Sequence, residues 1–364
     1  MSNNNCKNIL GIETSCDDTA IGIVSSKRNI LSNIVINQNS NLTKYGGIVP
    51  EIAARDHLSN IDYAIQGALD KAELELNDID LITATGGPGL IGGVIVGTVF
   101  AKSLAMSLDR PYVAVNHLEG HALTARLTDN VNYPYLLLLV SGGHTQIIAV
   151  LEYGKYVRIS STLDDAAGET FDKAAKILDI GFPGGPMIEK MAIDGDPESF
   201  DLPRPMYKSK NPNFSFSGLK TAFNQAVTRC ELNKTTVKNL SASIQRSISD
   251  CLIDRTKFAL RNFKTMIDNK TKIRLVVAGG VASNLYIRQE LKKLSLETNS
   301  LFFAPPLDLC TDNGAMIAWA GYEKYSHEGE TNLDFKPRPR WPLDPEAHYK
   351  KPIHHKIGKS GVKA

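Results

Sequence analysis

Asn8-Ile9-Leu10-Gly11-Ile12-Glu13-Thr14-Ser15-Cys16-Asp17-Asp18-Thr19-Ala20-Ile21-Gly22-Ile23-Val24 reads as an apolar strand, a small acidic loop and a second apolar strand. Short apolar runs bounded by polar turn residues mark buried strands. The same order returns at residues 135–151: an apolar run, then Ser141-Gly142-Gly143-His144-Thr145-Gln146, then another apolar run. Two such units at the starts of two halves indicate internal duplication in an α/β chain. The first loop has two readings. Its N–H groups and hydroxyls can cradle a phosphate while Asp17 or Asp18 takes a cation or a substrate hydroxyl. Equally, it is a hairpin with a polar tip. In the second loop, two glycines directly after a strand let a ligand approach the backbone closely.

The chain has 364 residues, enough for two domains, and 42% of them are hydrophobic, so a sizeable core can form. The formal net charge of +2 does not single out nucleic acid as a partner. Cys6, Cys16, Cys230, Cys251 and Cys310 are scattered and odd in number, and none forms a Cys-x-x-Cys pair. A disulfide framework or a thiolate zinc site is therefore not expected, and a reducing cytoplasm is. Residues 1–7 are polar and lack the apolar core of a signal peptide. The most apolar helical stretch, residues 89–101, stops at Lys102 and reads as too short for a bilayer, so no membrane is expected.

His117 and His121 stand four positions apart. On a helix that spacing puts both imidazoles on one face, where they can hold one divalent metal. The competing reading is a solvated helix. Glu119 lies between them, so the order is not the His-Glu-x-x-His of a zinc protease. A metal site needs a third ligand. Asp312, in Cys310-Thr311-Asp312-Asn313-Gly314-Ala315-Met316, is the candidate, although the local pattern reads first as Thr311 or Asp312 capping the last helix.

Between these points the spacing predicts a turn at residues 45–50 and helices over 51–74, 90–108 and 237–263. His57 and Arg55 are expected on a solvated helix face. Gly93 and Gly97 make a small-residue face for close approach of another element. A polar loop at residues 164–170 enters a helix, and Pro183-Gly184-Gly185-Pro186 reads as a turn. Asp172 and Glu189 are candidates for a ribose hydroxyl. A basic loop covers residues 203–212, with Arg204, Lys208 and Lys210. A third strand-to-glycine junction lies at residues 275–284; in doubly wound folds ligands sit at such strand ends. Residues 336–364 carry eight Lys or Arg against Asp344 and Glu346, either an arm for RNA phosphates or a disordered tail.

Together, Gly11-Ile12-Glu13-Thr14-Ser15-Cys16-Asp17-Asp18-Thr19, Tyr45-Gly46-Gly47-Ile48-Val49-Pro50-Glu51, His117-Leu118-Glu119-Gly120-His121, Val140-Ser141-Gly142-Gly143-His144-Thr145-Gln146, Phe171-Asp172-Lys173, Phe214-Ser215-Phe216-Ser217-Gly218-Leu219-Lys220, Gly279-Gly280-Val281 and the Cys310–Met316 motif resemble the bacterial TsaD family. That family is the tRNA adenosine threonylcarbamoyltransferases, once described as glycoproteases. The resemblance implies an α/β fold of two duplicated ribonuclease-H-like domains, of the sugar kinase, heat-shock chaperone and actin type, with a cleft between them. The boundaries it implies are 1–131 plus 306–335 for the first domain, 132–305 for the second and 336–364 for a basic, Pro-rich tail. It implies transfer of threonylcarbamoyl from threonylcarbamoyl-AMP to the adenosine 3′ of the anticodon, in tRNAs reading codons that begin with A, with release of AMP. It maps metal ligands onto His117, His121 and Asp312, and substrate positions onto Leu139, Val140, Ser141, Gly142, Gly143, Asp172, Gly185 and Asn284. One divalent metal per subunit follows, iron(II) before zinc. The partners it implies are tRNA, threonylcarbamoyl-AMP (or ATP or AMP in the cleft), a paralogous TsaB-like subunit and a TsaE-like small ATPase.

The residues suggest roles. Two imidazoles and one carboxylate leave a divalent ion with positive charge and open positions. Backbone N–H groups at residues 141–143 can steady developing negative charge. Asp17 and Asp18 are the candidates for a general base, on loop position alone. Helices 51–74 and 90–108 are the expected partner contact. Two rivals remain, a metalloendopeptidase and an ATPase on the same fold. The first needs a carboxylate beside the metal, where Glu119 points away; the second predicts phosphate release without tRNA.

Overall fold

The structure is a computed structural model and describes residues 6–37, 48–268 and 270–347. Of the expected turn at residues 45–50, positions 45–47 lie outside the described residues, as does the tail beyond residue 347. The described chain forms two compact units, residues 6–131 with 312–343, and residues 132–311 with 344–347.

Unit 1 begins with β1 (Asn8–Glu13), β2 (Thr19–Ser25) and β3 (Ile30–Ile36). Helix α1 (Pro50–Ala72) follows, then β4 (Leu81–Gly87), α2 (Ile91–Leu108), β5 (Tyr112–Asn116) and α3 (His117–Thr128). The sheet order is β3-β2-β1-β4-β5. β1, β2 and β3 pair antiparallel, whereas β4 is parallel to β1 and β5 to β4. Leu10, Ile12, Ile21 and Ile23 of the strands meet Ile61, Leu69 and Ala101 of the helices in one apolar core. Full burial of each large aliphatic side chain contributes roughly 1.5–3 kcal/mol.

Unit 2 repeats the plan. Strands β6 (Tyr135–Val140), β7 (Thr145–Glu152) and β8 (Lys155–Ser161) precede α4 (Ala167–Leu178), α5 (Gly184–Ala192), α6 (Ser217–Thr228) and α7 (Lys234–Lys264). β9 (Arg274–Ala278), α8 (Leu285–Glu297) and β10 (Leu301–Phe303) complete it. The order β10-β9-β6-β7-β8 has the same mixture of senses: β7 and β8 antiparallel, β9 and β10 parallel. The duplication expected from the two strand-loop-strand stretches is present in full, including third strands that the sequence reading did not include.

The last helix, α9 (Gly314–Glu328), packs on the unit 1 sheet. It gets there because three glycines meet: a Cβ on Gly314 would stand 2.0 Å from Gly22 N, and one on Gly11 would stand 2.2 Å from Gly314 O. This close approach delivers Asp312 to the region of α3.

Three expectations need correction. The apolar stretch does not stop at Lys102, whose ammonium donates to Phe335 O at 2.5 Å while the helix runs on to Leu108. α2 therefore runs 18 residues and is long and apolar enough to cross a membrane by length and composition. Its Gly93, Val94, Gly97, Ala101 and Ala105 face is buried in unit 1. The Pro183–Pro186 turn is instead the start of α5, with Pro183 as N-cap and Gly185 in the first turn. The N-cap of α9 is Asn313, whose side chain accepts from Met316 N, rather than Thr311 or Asp312.

Candidate metal centre

β5 ends at Asn116, whose side-chain oxygen accepts the Leu118 N–H at 2.9 Å and so starts α3 at His117. Both imidazoles are buried, with ring centroids 4.9 Å apart and nearly perpendicular planes. Asp312 Oδ1 stands 3.5 Å from His117 Nε2 and 3.0 Å from His121 Nε2. One ligand atom from each of the three residues lies within 4.8 Å of the others. The expected triad is thus assembled within unit 1.

Its other side is also built. Glu13, fully buried at the end of β1, places Oε2 3.0 Å from His117 Nδ1. A carboxylate can only accept here, so Nδ1 carries the proton and Nε2 is the atom turned to Asp312. Ser15 N donates to Glu13 Oε1 at 2.6 Å, and Thr85 Oγ1 donates to Oε2. Burial pushes the Glu13 carboxyl up, but the charge on His117 outweighs it and holds the group below the usual carboxylate range. Burial works against a charged His117, yet Glu13 and Asp312 raise it to about 9. His121 Nδ1 is buried with no hydrogen-bond partner among the described residues. Two imidazoles, a carboxylate and an outer carboxylate that orients one imidazole form a donor set that fits a divalent ion.

Loop 14–18 lies beside this group. Burial, reinforced by Asp17, raises the Asp18 carboxyl to about 7. Burial also raises Asp17, with a further contribution from Asp312. Asn37 Nδ2 donates to Asp18 Oδ1 at 2.8 Å. His57 is not on a solvated face: it is fully buried, with Nδ1 2.8 Å from Thr19 Oγ1 and Nε2 3.2 Å from the Cys16 carbonyl. Gly93 and Gly97 seat this loop, since their added Cβ atoms would meet Thr14 O and Thr14 Oγ1 at 2.2 Å, and Gly93 also admits helix α1, whose His57 ring would stand 3.0 Å from its Cβ. Arg55 is exposed and pairs with Glu51, as expected. The contacts of Glu13 and Ser15 with His117, and the burial of His57, escaped the sequence reading. The signal for Glu13 was an acid directly continuing a buried apolar run.

The expected substrate residues lie in unit 2. Leu139 and Val140 are buried in β6, so only their backbone is available to a ligand. The turn after them is closed by Ser141 N donating to His144 O at 2.8 Å and His144 N to Ser141 Oγ at 3.2 Å. Gly142, Gly143 and Gly185 each have open space where a Cβ would point. Gly168 packs against Ser141 and Gly142, and Gly279, with φ +92°, packs against the Val140 carbonyl. These contacts gather the ends of β6 and β9 and the start of α4. Asp172 Oδ1 accepts from Gly184 N at 2.8 Å. Asn284 caps α8 through Ile287 N and donates to Gln245 Oε1 at 2.9 Å. Glu189 accepts from Leu285 N at 2.6 Å. A cavity of about 700 Å³ lies elsewhere in unit 1, lined by Ala105, Met106, Arg110, Tyr112, Thr331 and Leu333, and none of the expected site residues lines it.

Two five-stranded sheets of the same mixed order define the class: the sugar kinase, heat-shock chaperone and actin fold, here with a candidate metal group in unit 1. The HypF protein of T. kodakarensis shares the fold, with TM-score 0.59 and 15% identity over 92% of this chain and 50% of that one. A full-length HypF in its phosphate- and nucleotide-bound form gives TM-score 0.55 and 12% identity over 89% of this chain and 56% of that one. A family model described as TsaD, tRNA N6-adenosine threonylcarbamoyltransferase, matches residues 29–319. A tRNA N6-adenosine threonylcarbamoyltransferase of Rickettsia rickettsii is 52% identical over 337 residues, 92% of this chain and 98% of that one. One of Brucella anthropi is 52% identical over 341 residues, 92% and 95% of the two chains. The chain belongs to the TsaD family.

Proposed function

We propose that this chain carries out its family's transfer, moving threonylcarbamoyl from threonylcarbamoyl-AMP to N6 of the adenosine 3′ of the anticodon in tRNAs reading codons that begin with A. The N6 nitrogen attacks the carbamoyl carbon, the bond from that carbon to the phosphate oxygen breaks, and AMP leaves. The N6 proton passes to a base. Asp18, raised to about 7, has the basicity for that role near neutral pH, and Asp17 is the alternative. His117, His121 and Asp312 hold one divalent ion, iron(II) before zinc, with Glu13 fixing the His117 ring. When bound, the ion supplies Lewis-acid charge for the acyl and phosphate oxygens. In unit 2, the Ser141–Gly143 backbone with Asp172, Gly185 and Asn284 binds the donor's nucleotide part; the open space over the glycines supports this.

Partner docking belongs, on this reading, to α1 and α2, where Leu58, Tyr63, Ile91, Ile95, Val99 and Met106 are exposed. Such an apolar surface fits a paralogous TsaB-like subunit, with a TsaE-like ATPase joining the assembly. The cytoplasm is the proposed compartment. The observation that carries the proposal is the imidazole pair with Asp312 at its open side and Glu13 behind it. The test is to supply the metal-loaded protein and its partners with tRNA and threonylcarbamoyl-AMP, then digest the tRNA and weigh its nucleosides. Appearance of threonylcarbamoyladenosine supports the reading. Cleavage of a protein substrate, or phosphate release without tRNA modification, overturns it.

A further inference from the structure

Residues 335–341, Phe-Lys-Pro-Arg-Pro-Arg-Trp, form no helix or strand, yet their backbone is pinned. Arg338 N donates to Gly86 O at 2.8 Å, Gly89 N to Pro339 O at 3.3 Å, and Asn116 Nδ2 to Trp341 O at 2.8 Å. Gly87 has φ +132°, and a Cβ there would fall 1.8 Å from Arg338 O, so the segment packs closely on the end of β4 and the loop after it. These attachment points lead directly to the metal group. Asn116 caps the helix that begins with His117. Gly89 packs on Ser15, whose Oγ is 3.1 Å from His117 Nδ1.

The side chains of this strap do the opposite of its backbone. Lys336, Arg338 and Arg340 are exposed, and no acidic residue occurs between Phe335 and Leu343. The Arg338 guanidinium lies 5.2 Å from the Phe335 ring centroid and 4.9 Å from that of Trp341. Lys324 Nζ lies 5.3 Å from the Trp341 ring. Ring contact holds the guanidinium plane while leaving the arginine exposed, and Pro337, Pro339 and Pro342 remove φ freedom. Little entropy is then lost when an anion docks. Arginine forks match phosphate oxygens, and a run of cations matches a polymer of phosphates better than one nucleotide.

We infer that residues 335–341 are a pinned basic strap that grips the tRNA phosphate backbone beside the metal group, with Lys336, Arg338 and Arg340 as the phosphate ligands. This rests on tRNA being the substrate. The test compares the full-length, metal-loaded protein with its Arg338→Gln/Arg340→Gln variant, measuring tRNA Kd at several salt concentrations and donor affinity in parallel. The variant is expected to bind tRNA about tenfold more weakly. Its slope of log affinity against log salt should shrink by about 1.4 to 1.8, at about 0.7 to 0.9 per phosphate contact. Arg338→Lys/Arg340→Lys should restore the slope. Should the Gln variant unfold, Lys336→Gln, outside the ring cluster, reads the same loss for one contact. A folded variant with wild-type Kd and slope overturns the inference, as does weaker donor binding with unchanged tRNA binding. Wild-type protein that fails to bind tRNA overturns instead the reading on which the strap depends.

Discussion

Glu13 Oε2 stands 3.0 Å from Nδ1 of His117, so a buried carboxylate at the end of the first strand sets the tautomer of the first imidazole of the candidate metal group. Removing that charge leaves the ring present but poorly held. Glu13→Gln is expected to weaken divalent metal binding about 10- to 100-fold, the range for loss of such an outer partner. Titration of the metal-free protein with zinc checks this; unchanged affinity would place Glu13 outside the site's workings.

The same pair fixes a pH dependence. In the metal-free protein His117 titrates at about 9, above the roughly 6.5 of an unfolded histidine. A raised pKa stabilises the folded state fully below about pH 6.5, and that contribution fades as pH rises through about 9. Metal must displace the Nε2 proton, so binding should release close to one proton at pH 7 and tighten as pH rises toward 9. Calorimetry of metal binding in buffers of different ionisation enthalpy measures the proton count, and zero release at pH 7 contradicts the assignment.

In unit 2, Asp164 anchors residues 215–217. Its carboxylate accepts from Phe216 N and Ser217 N and from the hydroxyls of Ser215 and Ser217, at 2.6 to 3.2 Å. Burial pushes its pKa up, but these four donors outweigh burial and hold it below the usual value. The stability it contributes is present above about pH 4 and is lost as pH falls through the depressed folded value. Asp164→Ala should destabilise the chain by about 1.5–3 kcal/mol at neutral pH, measured by urea unfolding. An equal loss at pH 7 and at pH 2 would show that the charge is not what counts.

Much of the fold was legible because its central strands are continuous apolar runs. β1 and β6, with β2 and β7 behind them, announce themselves by composition alone. β3 and β8 did not, since Ser32 and Asn33 in one and Lys155 and Arg158 in the other dilute the apolar pattern of edge strands. The start of α5 was hidden by its glycines and prolines, which mark turns in most settings and here accompany a helix N-terminus. Spacing supplied the pair His117 and His121 and left Asp312 as a candidate beside its reading as an N-cap; the family resemblance joined the three. Glu13 and His57 stayed hidden because their work depends on which loops fold against α1, α2 and α3, a three-dimensional fact that local pattern does not carry.

The central claim is that His117, His121 and Asp312 share one divalent ion. Anomalous diffraction from crystals of the iron(II)-loaded protein tests it most directly. The account predicts a single strong peak bonded to both imidazoles and to the Asp312 carboxylate, and its disappearance in His117→Ala/His121→Ala crystals that keep the same fold. A peak bonded to other residues, or none at this group in fully loaded protein, would contradict it.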